Sequence, residues 1–302
     1  MTRSILVCFH KYQPFGGEYY ESIFDFFMMQ MEKYKNEFEK LYLLDSNWGI
    51  KKVPGWAEVI QVNPHLRYYD AFKEVLPKIK ADLVLFLDND MVIYREGIIK
   101  TIFNRLQGIE KRYSMAGSYG PLERDIETDN KYDVVSIYDT IGKTFKQLGD
   151  KSKFCPYLFA SKTETLMKYR DVEWGPNMPK HETLGKLTEE MLEDGLKPYE
   201  MPEDKSDFLF GEVLADRKSK DLGYMHIRAG TTPAVLLAWR SSPNHKKTYE
   251  DYLKNQPQSE YLRHFAWYQI MGGNINPILE DLKLGVGEWD EYVKNFRIFH
   301  GL

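Results

Sequence analysis

The segment Asp82–Leu83–Val84–Leu85–Phe86–Leu87 constrains the fold more than any other, because it is an unbroken apolar run that stops on Asp88–Asn89–Asp90. A strand with one wet face alternates apolar and polar residues. A continuous run needs apolar cover on both faces, as in a parallel sheet between layers of helices. Ser4–Phe9 reads the same way, and Leu41–Leu44 is a shorter version ending at Asp45. Between them, Glu18–Lys40 carries Ile23, Phe24, Phe27, Met31 and Phe38 near helical spacing. Trp56–Val62 holds a third short strand and Leu66–Lys80 a second helix. Strands alternating with helices imply an α/β layer with a mostly parallel sheet. In such sheets the ligand crevice lies beyond the carboxyl ends of the strands. His10, Asp45 and Asp88 each follow a strand and are expected to converge there.

Further along, a helix is expected at Glu96–Lys111 and a strand at Tyr113–Ser118. The polar stretch Tyr119–Tyr132 reads as a mobile loop. Phe154–Ala160 is a strand, Thr163–Tyr169 a helix, Trp174–Lys180 a loop broken by Gly175, Pro176 and Pro179, and Thr183–Gly195 a helix closed by its glycine. Asp207–Leu214 and Leu222–Ile227 read as strands. Beyond Thr232 the pattern turns helical, at Tyr249–Leu253, Glu260–Met271, Pro277–Leu284 and Trp289–Phe299. The expected organisation is an α/β domain over 1–231 with a helical C-terminal extension over 232–302.

The composition narrows the function classes. With 302 residues and 43% hydrophobic content the chain can bury a sizeable core. A net charge of −4 argues against nucleic acid, whose non-specific binding depends on Lys and Arg neutralising phosphates. Cys8 and Cys155, the 2 cysteines, make neither a disulfide framework nor a zinc knuckle. No window approaches the roughly 20 apolar residues of a spanning helix, and the N-terminus lacks a signal-peptide pattern. The expectation is a cytoplasmic protein without a membrane span.

Asp88–Asn89–Asp90 carries the chemistry. Two carboxylates one residue apart on extended backbone point to opposite faces, and they approach one cation only where the strand ends and the chain turns. A hard divalent ion takes oxygen ligands and keeps positions open for substrate phosphates. The alternative is a solvated acidic turn. His226, in Tyr224–Met225–His226–Ile227–Arg228–Ala229–Gly230, is either a further ligand or an ordinary histidine. An imidazole suits Mn²⁺ better than Mg²⁺. Arg228 could face a diphosphate with its planar fork.

Asp82–Asp90, an apolar strand ending in Asp-x-Asp, resembles the metal-binding motif of GT-A glycosyltransferases, and the order of elements from Ser4 to about Ile227 is similar to that fold. The resemblance implies a Rossmann-like, mixed, mostly parallel sheet flanked by helices. It also implies Mn²⁺ or Mg²⁺ held by Asp88, Asp90 and His226, with Asn89 beside them at the nucleotide. A nucleoside-diphosphate sugar would be the donor and a saccharide or other hydroxyl the acceptor. By position Glu182 would be the base of an inverting reaction, with His181 assisting, although His181 departs from the usual Glu-Asp pairing. An acid at a helix N-terminus is also favourable for dipole reasons alone. His10 and Tyr12 after the first strand, Asp45 after the second, and Arg67 and Asp70 on the helix before the acidic strand match places where the family holds the nucleotide. Asp45 reads equally as a turn residue before Ser46–Asn47.

Other families that place acids after strands fit less well. Haloacid-dehalogenase phosphatases carry Asp-x-Asp on the first strand, and EF-hand loops need oxygen ligands where Val92 and Ile93 stand. Sugar nucleotidyltransferases share the architecture but open on a Gly-rich loop with Arg and Lys, which His10–Gly17 does not match. The alternatives carried forward are such a nucleotidyltransferase and a non-catalytic nucleotide-sugar or carbohydrate binder.

Overall fold

A computed structural model describes residues 1–10, 17–93, 96–114, 122–139, 153–175, 183–201, 224–226, 232–255, 262, 265–266, 268–270 and 274–300. They fall into two compact units. The first takes in Met1–His10, Tyr34–Asp88 and Gly97–Glu203, and the second Lys11–Lys33, Asn89–Glu96 and Asp204–Leu302. The expected boundary at residue 231 lies outside the described residues.

The first unit is built on β1 (Arg3–His10), β2 (Lys40–Ser46), β3 (Ala57–Gln61), β4 (Leu83–Leu87), β8 (Val134–Asp139), β9 (Lys153–Lys162) and β10 (Pro198–Met201). They form one seven-stranded sheet in the order β10-β8-β9-β4-β1-β2-β3. β1 pairs parallel with β2 and β4, β2 with β3, and β8 with β10, while β9 runs antiparallel to both β4 and β8. This mixed, mostly parallel sheet with flanking helices is a Rossmann-like α/β fold. All five residues of β4 are buried, and each large apolar side chain so placed stabilises the fold by about 1.5–3 kcal/mol. One face packs Leu6, Cys8, Tyr42, Leu44, Val84, Phe86 and Phe159 against α2 (Tyr68–Val75), α4 (Thr163–Lys168) and α5 (Gly185–Glu193). α3 (Ile98–Gln107) packs on β4, β8 and β9 through a stripe that includes Ile99, Ile102, Phe103 and Leu106.

Several expectations shift. The first helix, α1 (Gly17–Tyr34), stops six residues short of Lys40 because a 3-10 turn over Lys35–Glu37 and an extended Phe38 lead into β2. Glu37 then accepts hydrogen bonds from the Gly97 and Lys100 amides at 2.8 and 2.9 Å, capping α3 from a distance. α3 ends at Gly108, whose φ of 72° is left-handed, and a Cβ there would meet the Thr128 carbonyl oxygen at 2.7 Å. The strand expected at Tyr113–Ser118 is β6 (Ile109–Ser114), and part of the expected loop Tyr119–Tyr132 is β7 (Leu122–Glu127), paired antiparallel with it. Strands β8 and β10 were not expected, because β8 has few apolar residues in a row and β10 begins on a proline. That proline is tolerated because β10 is an edge strand. The expected strand Asp207–Leu214 lies outside the described residues.

The second unit pairs β5 (Met91–Ile93) antiparallel with β11 (Tyr224–His226). α1 holds β5 from its side: buried Gln30 accepts a hydrogen bond from the Ile93 amide at 2.8 Å and donates to the Met91 carbonyl at 3.4 Å. One side-chain amide thus satisfies backbone groups as a neighbouring strand would. Helices α6 (Thr232–Ser241), α7 (Lys246–Asn255), α8 (Asn276–Leu282) and α9 (Val286–His300) complete the unit's described elements. No helix among the described residues is long and apolar enough to cross a membrane.

Candidate functional site

The chain runs β1, β2, β3 to one side of the sheet and then crosses back to place β4 on the other side of β1. That reversal makes the carboxyl ends of β1 and β4 a topological switch point, the place where open α/β sheets leave a crevice. His10 closes β1 and Asp88 comes directly after β4.

Asp88 is partly exposed, and its amide donates to the Tyr157 carbonyl at 3.2 Å. Its Oδ1 accepts a hydrogen bond from Tyr68 Oη at 2.6 Å. Tyr68 is the first residue of α2 and packs edge-on against Phe72 and Tyr69, at ring distances of 5.1 and 4.9 Å. Burial pushes the phenol well above its ordinary pKa and the Asp88 charge pushes it further, so Tyr68 stays a proton donor to the carboxylate. Sequence reasoning missed Tyr68, although it stands between Arg67 and Asp70 at the head of the helix that precedes the acidic strand.

Beneath these groups lies Cys8, fully buried, its thiol pushed up by burial and then by the Asp88 and Asp45 carboxylates. It is an apolar filler rather than a thiolate. His10 Nδ1 lies 2.7 Å from Ser46 Oγ, and burial lowers the imidazole pKa, so the ring offers hydrogen bonds without charge near neutral pH.

Asp45 is 1% exposed. Its Oδ1 accepts from the Trp48 and Gly49 amides at 2.7 and 3.1 Å. Its Oδ2 accepts from the Gly49 and Ile50 amides at 3.2 and 2.8 Å and from Gln61 Nε2 at 3.1 Å. Both oxygens are therefore committed to the loop after β2, the turn reading of this residue. The same loop sets Trp48 edge-on to Phe9 at 5.1 Å.

Arg67 and Asp70 form an ion pair at 2.7 Å, and Arg67 also reaches Glu173 at 3.3 Å. The carboxylate bonds raise the guanidinium pKa, Asp70 most of all. Gly175 makes room for this group, since a Cβ there would meet Arg67 Cζ at 3.0 Å.

In the second unit, Asn89 and Asp90 form a partly exposed turn that enters β5. His226 pairs in register with Met91, the residue after Asp90. Two carboxylates and an imidazole are a donor set suited to Mn²⁺. Among the described residues no three His, Cys, Asp or Glu side chains gather as a metal site, and the His226 side chain is not among those described. Tyr12, His181, Glu182 and Arg228 lie outside the described residues.

No family profile and no curated protein matches this chain. Among solved structures it is similar to the bifunctional IspDF from Campylobacter jejuni, at 13% identity and a TM-score of 0.41, over 67% of this chain and 50% of that one. It is also similar to 4-diphosphocytidyl-2C-methyl-D-erythritol synthase from Anaerococcus prevotii, at 11% identity and a TM-score of 0.44, over 67% of this chain and 86% of that one. A third is galactosyltransferase LGTC in complex with donor and acceptor sugar analogs, at 13% identity and a TM-score of 0.42, over 86% of this chain and 99% of that one. The chain thus spans half the length of the bifunctional protein, and the similarity concerns the path of the chain alone.

Proposed function

We infer that the chain is a metal-dependent glycosyltransferase that moves a sugar from a nucleoside-diphosphate sugar to an acceptor hydroxyl. The observation that carries this reading is Asp88 at the switch point of the sheet, held by Tyr68 at 2.6 Å and succeeded at once by a turn bearing Asp90. An acid oriented by a half-buried phenol at a strand end is a prepared ligand, since partners behind a ligand fix its direction. Asp88 and Asp90, with His226, would hold a divalent cation. When bound, the cation would supply charge neutralisation for the departing diphosphate.

The chain's own residues carry the remaining tasks. Neutral His10 can hydrogen-bond the nucleoside without adding charge. The Asp45 loop sets the shape of the neighbouring wall through Trp48. Glu182 is the proposed base that takes the proton from the attacking hydroxyl in an inverting reaction.

The test is a thermal-shift screen of nucleoside-diphosphate sugars with and without Mn²⁺. One donor should raise the melting temperature only when metal is present, because binding to the folded state stabilises it by mass action. Release of nucleoside diphosphate on adding acceptors then supports glycosyl transfer. Release of pyrophosphate instead would make the chain a nucleotidyltransferase, and a metal-dependent shift without turnover would make it a binding protein.

A further inference from the structure

The second unit carries a cleft for which the donor reading has no use. It encloses about 580 Å³ and is lined by Arg240, Lys246, Tyr249, Glu250, Lys254 and Asp281. That volume lies in the usual range of small-molecule sites.

One part of the lining is a fixed network. Asp281 accepts hydrogen bonds from Arg240 Nε at 2.6 Å, from Arg240 Nη2 at 3.3 Å and from Tyr249 Oη at 2.6 Å. Tyr249 is buried, and burial followed by its bond to Asp281 pushes the phenol pKa up. Burial alone would raise the Asp281 carboxyl, but the bonds from Arg240 and Tyr249 hold it below its ordinary value. The arginine and aspartate charges cancel, and the network ties α6, α7 and α8 together.

The other charged residues behave differently. Lys246, Glu250 and Lys254 stand at i, i+4 and i+8 on α7, a spacing at which opposite charges normally pair. α5 shows the pairing realised, with Lys186 at 3.0 Å from Glu189 and 2.8 Å from Glu190. Among the described residues neither Lys246 nor Lys254 makes a direct ion pair, although the Lys246 charge adds to those that hold the Asp281 carboxyl down. Instead both line the cleft, with Glu250 between them in sequence. A cleft with two ammonium groups, one carboxylate and a rigid neutral polar network carries a net positive charge. Ammonium groups are point-charge binders of phosphate, whereas carboxylates accept from hydroxyls.

We propose that this cleft binds a phosphorylated polyol of sugar-phosphate type, with Lys246 and Lys254 on the phosphate and Glu250 on the hydroxyls. The site lies within the second unit and does not rest on the donor reading.

Calorimetric titration of the full chain, without metal, with glucose 6-phosphate, glucose and inorganic phosphate tests it. Glucose 6-phosphate should bind about tenfold more tightly than inorganic phosphate, and the K246Q/K254Q double variant should weaken it at least about tenfold. E250Q should weaken glucose 6-phosphate without weakening inorganic phosphate, since it removes a hydroxyl acceptor and a negative charge together. The double variant should keep its melting temperature, and its response to Mn²⁺ and nucleotide should match the parent's. Equal affinity for glucose 6-phosphate and inorganic phosphate would mean an adventitious ion only. That result, no binding at all, or wild-type affinity in the double variant would each overturn the proposal.

Discussion

The ends of β2 and β4 carry the same signature, an aspartate closing an apolar strand beside β1, yet the two acids are held in different ways. After β2, the sequence Ser46–Asn47–Trp48–Gly49–Ile50 folds back over Asp45. Asn47 at φ 64° and Gly49 at φ 85° let the backbone turn its amides toward the carboxylate. Asp45 is thereby sealed, with both oxygens filled. After β4 the chain passes through one short turn into β5, and Asp88 stays partly exposed with Tyr68 on one oxygen. The course of the backbone just beyond the acid therefore decides how it is held. A loop able to bend its amides back seals the acid as a structural staple, whereas a chain that turns at once into another strand leaves the acid partly exposed.

The largest effect should come from Asp45→Ala. It would take the buried acceptor away from three partly exposed loop amides and the Gln61 side chain, and a loss of this kind costs about 1–3 kcal/mol. Chemical denaturation should register a loss of that size. An unchanged midpoint with weakened nucleotide binding would erase the contrast. Asp88→Asn should do the reverse. The amide oxygen can still accept from Tyr68, so stability should change by less than about 1 kcal/mol. Metal-dependent turnover should fall by about 10²-fold, as expected for loss of a charge that acts on developing charge. A wild-type rate in this variant would remove Asp88 from the site.

Most of the sheet was legible in the sequence, and for a specific reason. β1, β2 and β4 are covered on both faces, so burial wrote itself into continuous apolar runs. β8 and β10 escaped notice because their places depend on pairing with β9 and with each other, a non-local fact that few of their own residues record. Strand β7 escaped for the opposite reason, since Leu122–Glu127 is mostly charged and reads as a loop. In the site, the acids could be found because a carboxylate after a strand stands out. Tyr68 could not, because one tyrosine among 21 carries no mark of the bond it makes. Asp45 was legible as a residue and ambiguous as a role, since only the path of the backbone after it decides between them.

Tyr68→Phe sharpens the contrast at smaller scale. The ring packing against Phe72 and Tyr69 survives, and only the hydrogen bond to Asp88 goes. Stability should fall by about 1 kcal/mol. If the phenol orients a metal ligand, the apparent Mn²⁺ affinity should weaken about tenfold, while the melting temperature without metal moves little. Equal loss of stability in metal-free and metal-loaded protein would show the bond to be structural alone.

His10 gives the smallest effect and tests the edge of the same site from its other side. Burial lowers its pKa below the ordinary value of 6.5, so the unfolded chain binds its proton first as pH falls. Above about pH 6.5 both states are neutral and His10 adds no pH dependence. As pH falls through that value toward the folded pKa, protons bind preferentially to the unfolded state and stability drops. Below the folded pKa the penalty is complete and constant. Melting curves of the parent and His10→Gln should therefore coincide in slope above neutrality and diverge below it, with the variant losing less. The hydrogen bond to Ser46 makes the comparison specific, since glutamine can keep that bond while having no proton to take up. Parallel curves throughout would mean that the imidazole is solvated enough to titrate as it does in the unfolded chain, and the neutral donor assigned to the end of β1 would be lost with it.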